Sequence, residues 1–97
     1  MQELVIPPAA IEDPNSVELV RLWAAAGQQH VTLNIGCYQE KGYDEAYSWG
    51  IICADFVMHV ANALSQRYGL DYAETIEKIR NGLNNELDEP STEIEGE

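Results

Sequence analysis

The run WGIICADFVMHVANALSQRYG, residues 49–69, constrains the fold more than any other part of this chain. It is apolar almost throughout, and Asp55, His59 and Asn62 interrupt it at spacings of four and three. Asp44 is a natural N-cap before it and Gly69 a natural stop after it. The segment between them predicts a helix of roughly 24 residues, about 36 Å long. On a helical wheel Ser48, Asp55, His59, Asn62 and Gln66 fall within roughly 60°. Trp49, Ile52, Phe56, Val60 and Ala63 make a bulky face beside them, and Gly50, Ala54, Ala61 and Ser65 a small-residue face nearly opposite. Ile51 and Met58 border the polar arc on its other flank.

Apolar groups therefore wrap most of this helix, whereas a surface helix needs an apolar arc of only about 100° or a little more. A chain of 97 residues has room for one domain, and one sheet plus one further helix would struggle to cover the whole circumference. The surplus asks for a second molecule, and a two-fold homodimer is the commonest solution. Gly50, Ala54, Ala61 and Met58 are the candidate interface, the small residues allowing close backbone approach.

The remaining elements read from local signals. ELVI, residues 3–6, is a short apolar run stopped by Pro7 and Pro8, which fits an edge strand or an extended arm. AAIEDPNS reads as a connection. His30, Thr32 and Asn34 alternate with Val31, Leu33 and Ile35, as a strand with one buried face does. Residues 17–26 fit two patterns. As a helix they have Asp13, Pro14 and three alanines in their favour. As a strand they supply the neighbour that 31–35 needs, with Gly27-Gln28 as the turn, and the hairpin is preferred. GCYQEKGYD, 36–44, is a loop. Asp71 and Glu74 open a last helix in D-x-x-E form, with Tyr72, Ile76, Ile79, Leu83 and Leu87 as its apolar stripe. Pro90 ends it, and 91–97 should be a loose, disordered acidic tail. The expected class is α+β: a short N-terminal strand and a hairpin packed on a long central helix and a second amphipathic helix, one domain over 1–90.

Charge narrows the partners. Seventeen acids against five bases leave a formal net charge of −12. Such a field repels phosphate backbones and anionic lipid heads, so neither nucleic acid nor a membrane surface is expected as a partner. No signal peptide is recognisable, and the polar residues inside 49–64 argue against a membrane span, so a cytoplasmic location is expected. Cys37 and Cys53 have no metal or CxxC spacing and read as two reduced thiols.

The polar stripe admits two uses. Asp55 and His59, four apart, can bond to each other along the helix as an ordinary solvated pair. They could also begin a site: a metal held by Asp55, His59 and His30, or a small-molecule pocket lined by Asp55, His59, Asn62, Trp23 and Trp49. Two ligands on one helix fall short of the three or four a zinc site takes. Catalysis has less support. Cys53 and His59 sit about 240° apart on the wheel, and no nucleophile-elbow, P-loop or dinucleotide-binding motif is present. The two tryptophans read as core anchors.

IPPAAIEDP near the start, VELVRLWAAAGQQHVTLN in the middle and WGIICADFVMHVANAL in the long helix together resemble the small bacterial proteins grouped as domain of unknown function 5076. The resemblance runs to about Pro90. It implies a stand-alone cytosolic bacterial protein and brings no activity, cofactor or ligand. In that family the position before the histidine is often basic; here it is Met58, which favours a structural role for the stripe. The expectation is a non-enzymatic, self-associating or protein-binding module without a cofactor, with a small-molecule or metal site on the stripe as the alternative.

Overall fold

The computed structural model describes residues 1–91. Residues 92–97, most of the expected acidic tail, lie outside the described residues. The chain groups into two compact units, one covering Met1–Ile35 and the other running on from Gly36.

The first unit is built on a hairpin. Strands β1 (Val20–Ala25) and β2 (Gln28–Leu33) pair antiparallel, with Leu22 opposite Val31 and Trp23 opposite His30. Residues 17–26 thus hold a strand from Val20 on, as the hairpin reading has it. The turn, however, is Ala26-Gly27, one residue earlier than expected. Both turn residues have positive φ, 52° at Ala26 and 75° at Gly27. That is the type I′ geometry, whose twist matches that of the flanking strands. Gly27 takes it at no steric cost, but Ala26 carries a Cβ into the left-handed region.

Before the hairpin the expectation of a strand at 3–6 is corrected. Residues 3–6 form no strand; Glu3 pairs only by its side chain, with Arg21, and Leu4 and Val5 are 95% and 90% exposed. The following segment is more ordered than a plain connection: Pro8–Glu12 forms a short helix, α1, with proline at its start, where the missing N–H costs nothing. Ser16 Oγ donates back to the Ala10 carbonyl at 2.7 Å, and Asn15 N–H donates to Asp13 Oδ1 at 2.9 Å, which folds 7–16 into a bonded corner.

The second unit holds the long helix, α2 (Glu45–Tyr68), and α3 (Tyr72–Asp88). The expected caps are present: Asp44 accepts from Tyr47 N–H, Gly69 closes α2 at φ 68°, and Asp71 accepts from Glu74 N–H. Three residues, 69–71, join the helices, and the two pack on each other. Ala61 is fully buried and Thr75 is 6% exposed; no other described residue is buried. Thr75 satisfies its hydroxyl on the Asp71 carbonyl at 2.7 Å. Val57, Val60, Leu64, Ser65, Ile76 and Ile79 are half-buried. Tyr72 at the start of α3 and Leu83 and Leu87 farther along are 43%, 46% and 71% exposed, so the stripe of that helix is covered only at Ile76 and Ile79. Beyond it, Ser91 N–H donates to Glu86 Oε2 at 3.0 Å.

Candidate functional site

The polar stripe of α2 forms as its spacing demands. His59 Nδ1 lies 2.8 Å from the backbone carbonyl oxygen of Asp55 and 3.4 Å from Asp55 Oδ2. As an N–H donor it is shared between the two, and Nε2 is left open. Both side chains stand in solvent, His59 76% and Asp55 68% exposed, and Asn62 and Gln66 are exposed as well. An ion pair in that setting has little strength, because water screens both charges.

Trp23 and His30 belong to the hairpin unit, where they face each other across the strands. His30 Nε2 lies 3.1 Å from the Ala25 carbonyl oxygen, a contact within the hairpin. Among the described residues no group of three or more His, Cys, Asp or Glu side chains could hold a metal ion. Cys37 and Cys53 are both free thiols, the first half-buried and the second exposed. Of the small-residue positions, Ala61 is buried inside its own unit, while Gly50, Ala54 and Met58 are exposed.

The most highly coordinated side chain is one the sequence reading passed over. Glu45, in the first turn of α2, gathers four donors on one carboxylate. Oε1 accepts from the backbone N–H of Tyr38 at 3.0 Å and of Gln39 at 2.8 Å. Oε2 accepts from Gly36 N–H at 3.0 Å and from the indole Nε1 of Trp49 at 2.8 Å. These bonds hold the Glu45 carboxyl below its ordinary range. The Gly36 amide contributes most, with Trp49, Gln39 and Tyr38 adding to it and partial desolvation opposing. The signal was present in the sequence: an acid four residues before a tryptophan, directly after a glycine-containing loop. Four donors leave this carboxylate little capacity for a ligand, so its role is to fix the 36–39 loop to the start of α2.

The remaining feature of α2 is apolar. Tyr47, Ile51, Ala54 and Met58 recur at spacings of four, three and four, which keeps them within roughly 60° on the helix. All four are exposed, the first two by 73% and 59% and Met58 by 47%. Gly50 lies beside them. This is the seam pattern by which one helix meets another.

Fold and surface together define a small α+β protein that carries a hairpin unit and a helical unit with one long, partly uncovered helix. The chain belongs to the family described as Domain of unknown function (DUF5076), which matches residues 3–91. No curated protein matches it. Among solved structures it is similar to a protein from the photosynthetic bacterium Rhodopseudomonas palustrus CGA009, provisionally named a pyruvate dehydrogenase. The TM-score is 0.74 at 18% identity, over 100% of this chain and 94% of that one. The likeness is one of fold. Among the described residues no helix is long and apolar enough to cross a membrane.

Proposed function

We propose that this protein is a non-enzymatic module that associates with a second copy of itself through the α2 stripe. One observation carries the reading: Tyr47, Ile51, Ala54 and Met58 form a continuous apolar seam that is exposed within the helical unit among the described residues. Isolated exposed apolar residues are ordinary on protein surfaces, whereas an aligned row with helix-pairing spacing is not. The row is also close to self-complementary. Two antiparallel copies of α2 crossing at Ala54 would set Ile51 of each against Met58 of the other. Gly50 and Ala54 at the crossing leave room for close approach. A two-fold axis requires this property of a surface that pairs with itself.

The polar side chains beside the seam support the same reading. Asp55, His59 and Asn62 edge it as the wet rim of an interface does. Their exposure, and the commitment of His59 Nδ1 to its own helix, favour that role over a ligand site. The dehydrogenase name of the structural relative transfers no residue to this chain, since the similarity reaches only the fold.

Sedimentation across the micromolar range tests the proposal. The expected result is a concentration-dependent dimer, weakened at least about tenfold by Met58→Glu, which would bury a charge in the seam. A 10.8 kDa monomer at every concentration would overturn it. The same holds for dimerisation indifferent to Ala54→Glu and Met58→Glu.

A further inference from the structure

The hairpin unit carries a second unsatisfied surface, made of backbone. Asn34 N–H donates to the Leu19 carbonyl at 2.9 Å, so that pair, and with it 21/32, 23/30 and 25/28, is hydrogen-bonded inward. The backbone groups of Val20, Leu22 and Ala24 therefore point outward from the free edge of β1. Two strands alone are marginal in water, and a third strand is the usual remedy. Meanwhile the segment Glu3-Leu4-Val5-Ile6 has the composition of a strand and no backbone partner, with Leu4, Val5 and Ile6 at 95%, 90% and 60% exposure.

Segment and edge match in their alternation. β1 presents Val20, Leu22 and Ala24 on one face and Arg21 and Trp23 on the other. A strand that places Leu4 and Ile6 on the first face places Glu3 and Val5 on the second. Glu3 then falls on the Arg21 side, the charge complement that the structure already displays: Arg21 Nη1 to Glu3 Oε2 is 3.3 Å. Pro7 has no N–H to donate, so the pairing would end at Ile6. Within one chain the bonded corner 7–16 fixes where this segment leaves. Glu3 reaches Arg21 from there, yet no ladder forms.

We infer that segment 3–6 of one copy adds as a third strand to the free β1 edge of a second copy. The inference shares with the α2 reading only the need for two copies; the surfaces are different. Amide exchange and isotope-filtered NMR on the full chain test it, using mixtures of labelled and unlabelled protein. The expected result is contacts between Leu4 or Ile6 methyls and Leu22 of the other copy. The outward N–H groups of Val20, Leu22 and Ala24 should also gain at least about tenfold protection as concentration rises. The double variant Leu4→Pro/Val5→Pro removes a ladder donor whichever way the added strand runs, and it should abolish both. Contacts found only within one copy, or outward amides that exchange equally fast in the parent and in Leu4→Pro/Val5→Pro, would overturn it. If Met58→Glu abolishes dimers while those amides are never protected, the α2 reading survives and this inference fails. If strand protection persists in Met58→Glu dimers, the reverse is true.

Discussion

Glu45 Oε2 and Trp49 Nε1, one helical turn apart, are joined by a hydrogen bond of 2.8 Å, and the same oxygen also holds the Gly36 amide. That one carboxylate closes the 36–39 loop onto α2 and fixes the rotamer of the tryptophan. Glu45→Ala strips all four donors of their shared acceptor at once. We expect the melting temperature to fall by on the order of 5 °C or more, with Trp49 fluorescence shifted to the red. Glu45→Gln, which keeps one acceptor oxygen but loses the charge, should fall between the two. Thermal unfolding of the three proteins checks the order.

The same bonds make the loop sensitive to acid. The folded-state value of the Glu45 carboxyl lies below its ordinary 4.5, so the unfolded chain binds the proton first as pH falls. Its contribution is therefore fully present above about pH 4.5 and is lost as pH drops through the lower folded value. In a Trp23→Phe background, where Trp49 is the only indole, we expect a fluorescence change confined to that acid window and absent in Glu45→Gln. Glu86, lowered first by the Ser91 amide, acts in the same direction, and Glu86→Gln separates its share.

Ala26 holds φ 52° beside Gly27 in the hairpin turn. A Cβ in the left-handed region costs roughly 1 kcal/mol, a cost that asparagine offsets by local hydrogen bonding. Ala26→Asn creates the Asn-Gly pair that type I′ turns prefer. It should stabilise the protein by about 0.5–1 kcal/mol in urea unfolding. Ala26→Val, branched at Cβ, should move in the opposite direction.

These cases show what was legible beforehand and what was not. The helices were readable because caps and periodicity act within a few residues: Asp44, Gly69 and Asp71 sit where the chemistry of helix ends requires them. The hairpin was readable through the alternation of 30–35. Its turn was not, because an alanine at positive φ contradicts local propensity and only the register of the pairing puts it there. Strand propensity at 3–6 was correctly seen but is not sufficient, since a strand exists only where an edge receives it. At Glu45 the spacing to Trp49 was legible, but the three backbone amides of 36, 38 and 39 were not, because a sequence does not show where the amides of a loop point.

Asp55 and His59 give the sharpest separation between an ordinary solvated pair and a site. With both side chains more than two-thirds exposed, the pair has little folding energy to lose. Asp55→Asn, His59→Ala and the double variant should each stay within about 0.5 kcal/mol of the parent in denaturant unfolding. If these residues only border a self-association surface, they should also leave dimerisation nearly unchanged, because charges at an interface rim act mainly on encounter rates. Zinc, the divalent ion an imidazole–carboxylate pair would favour, should produce no thermal shift in the parent protein. A stabilisation by zinc of several degrees that His59→Ala removes would identify a ligand site on the stripe. It would also give the long helix a purpose other than pairing.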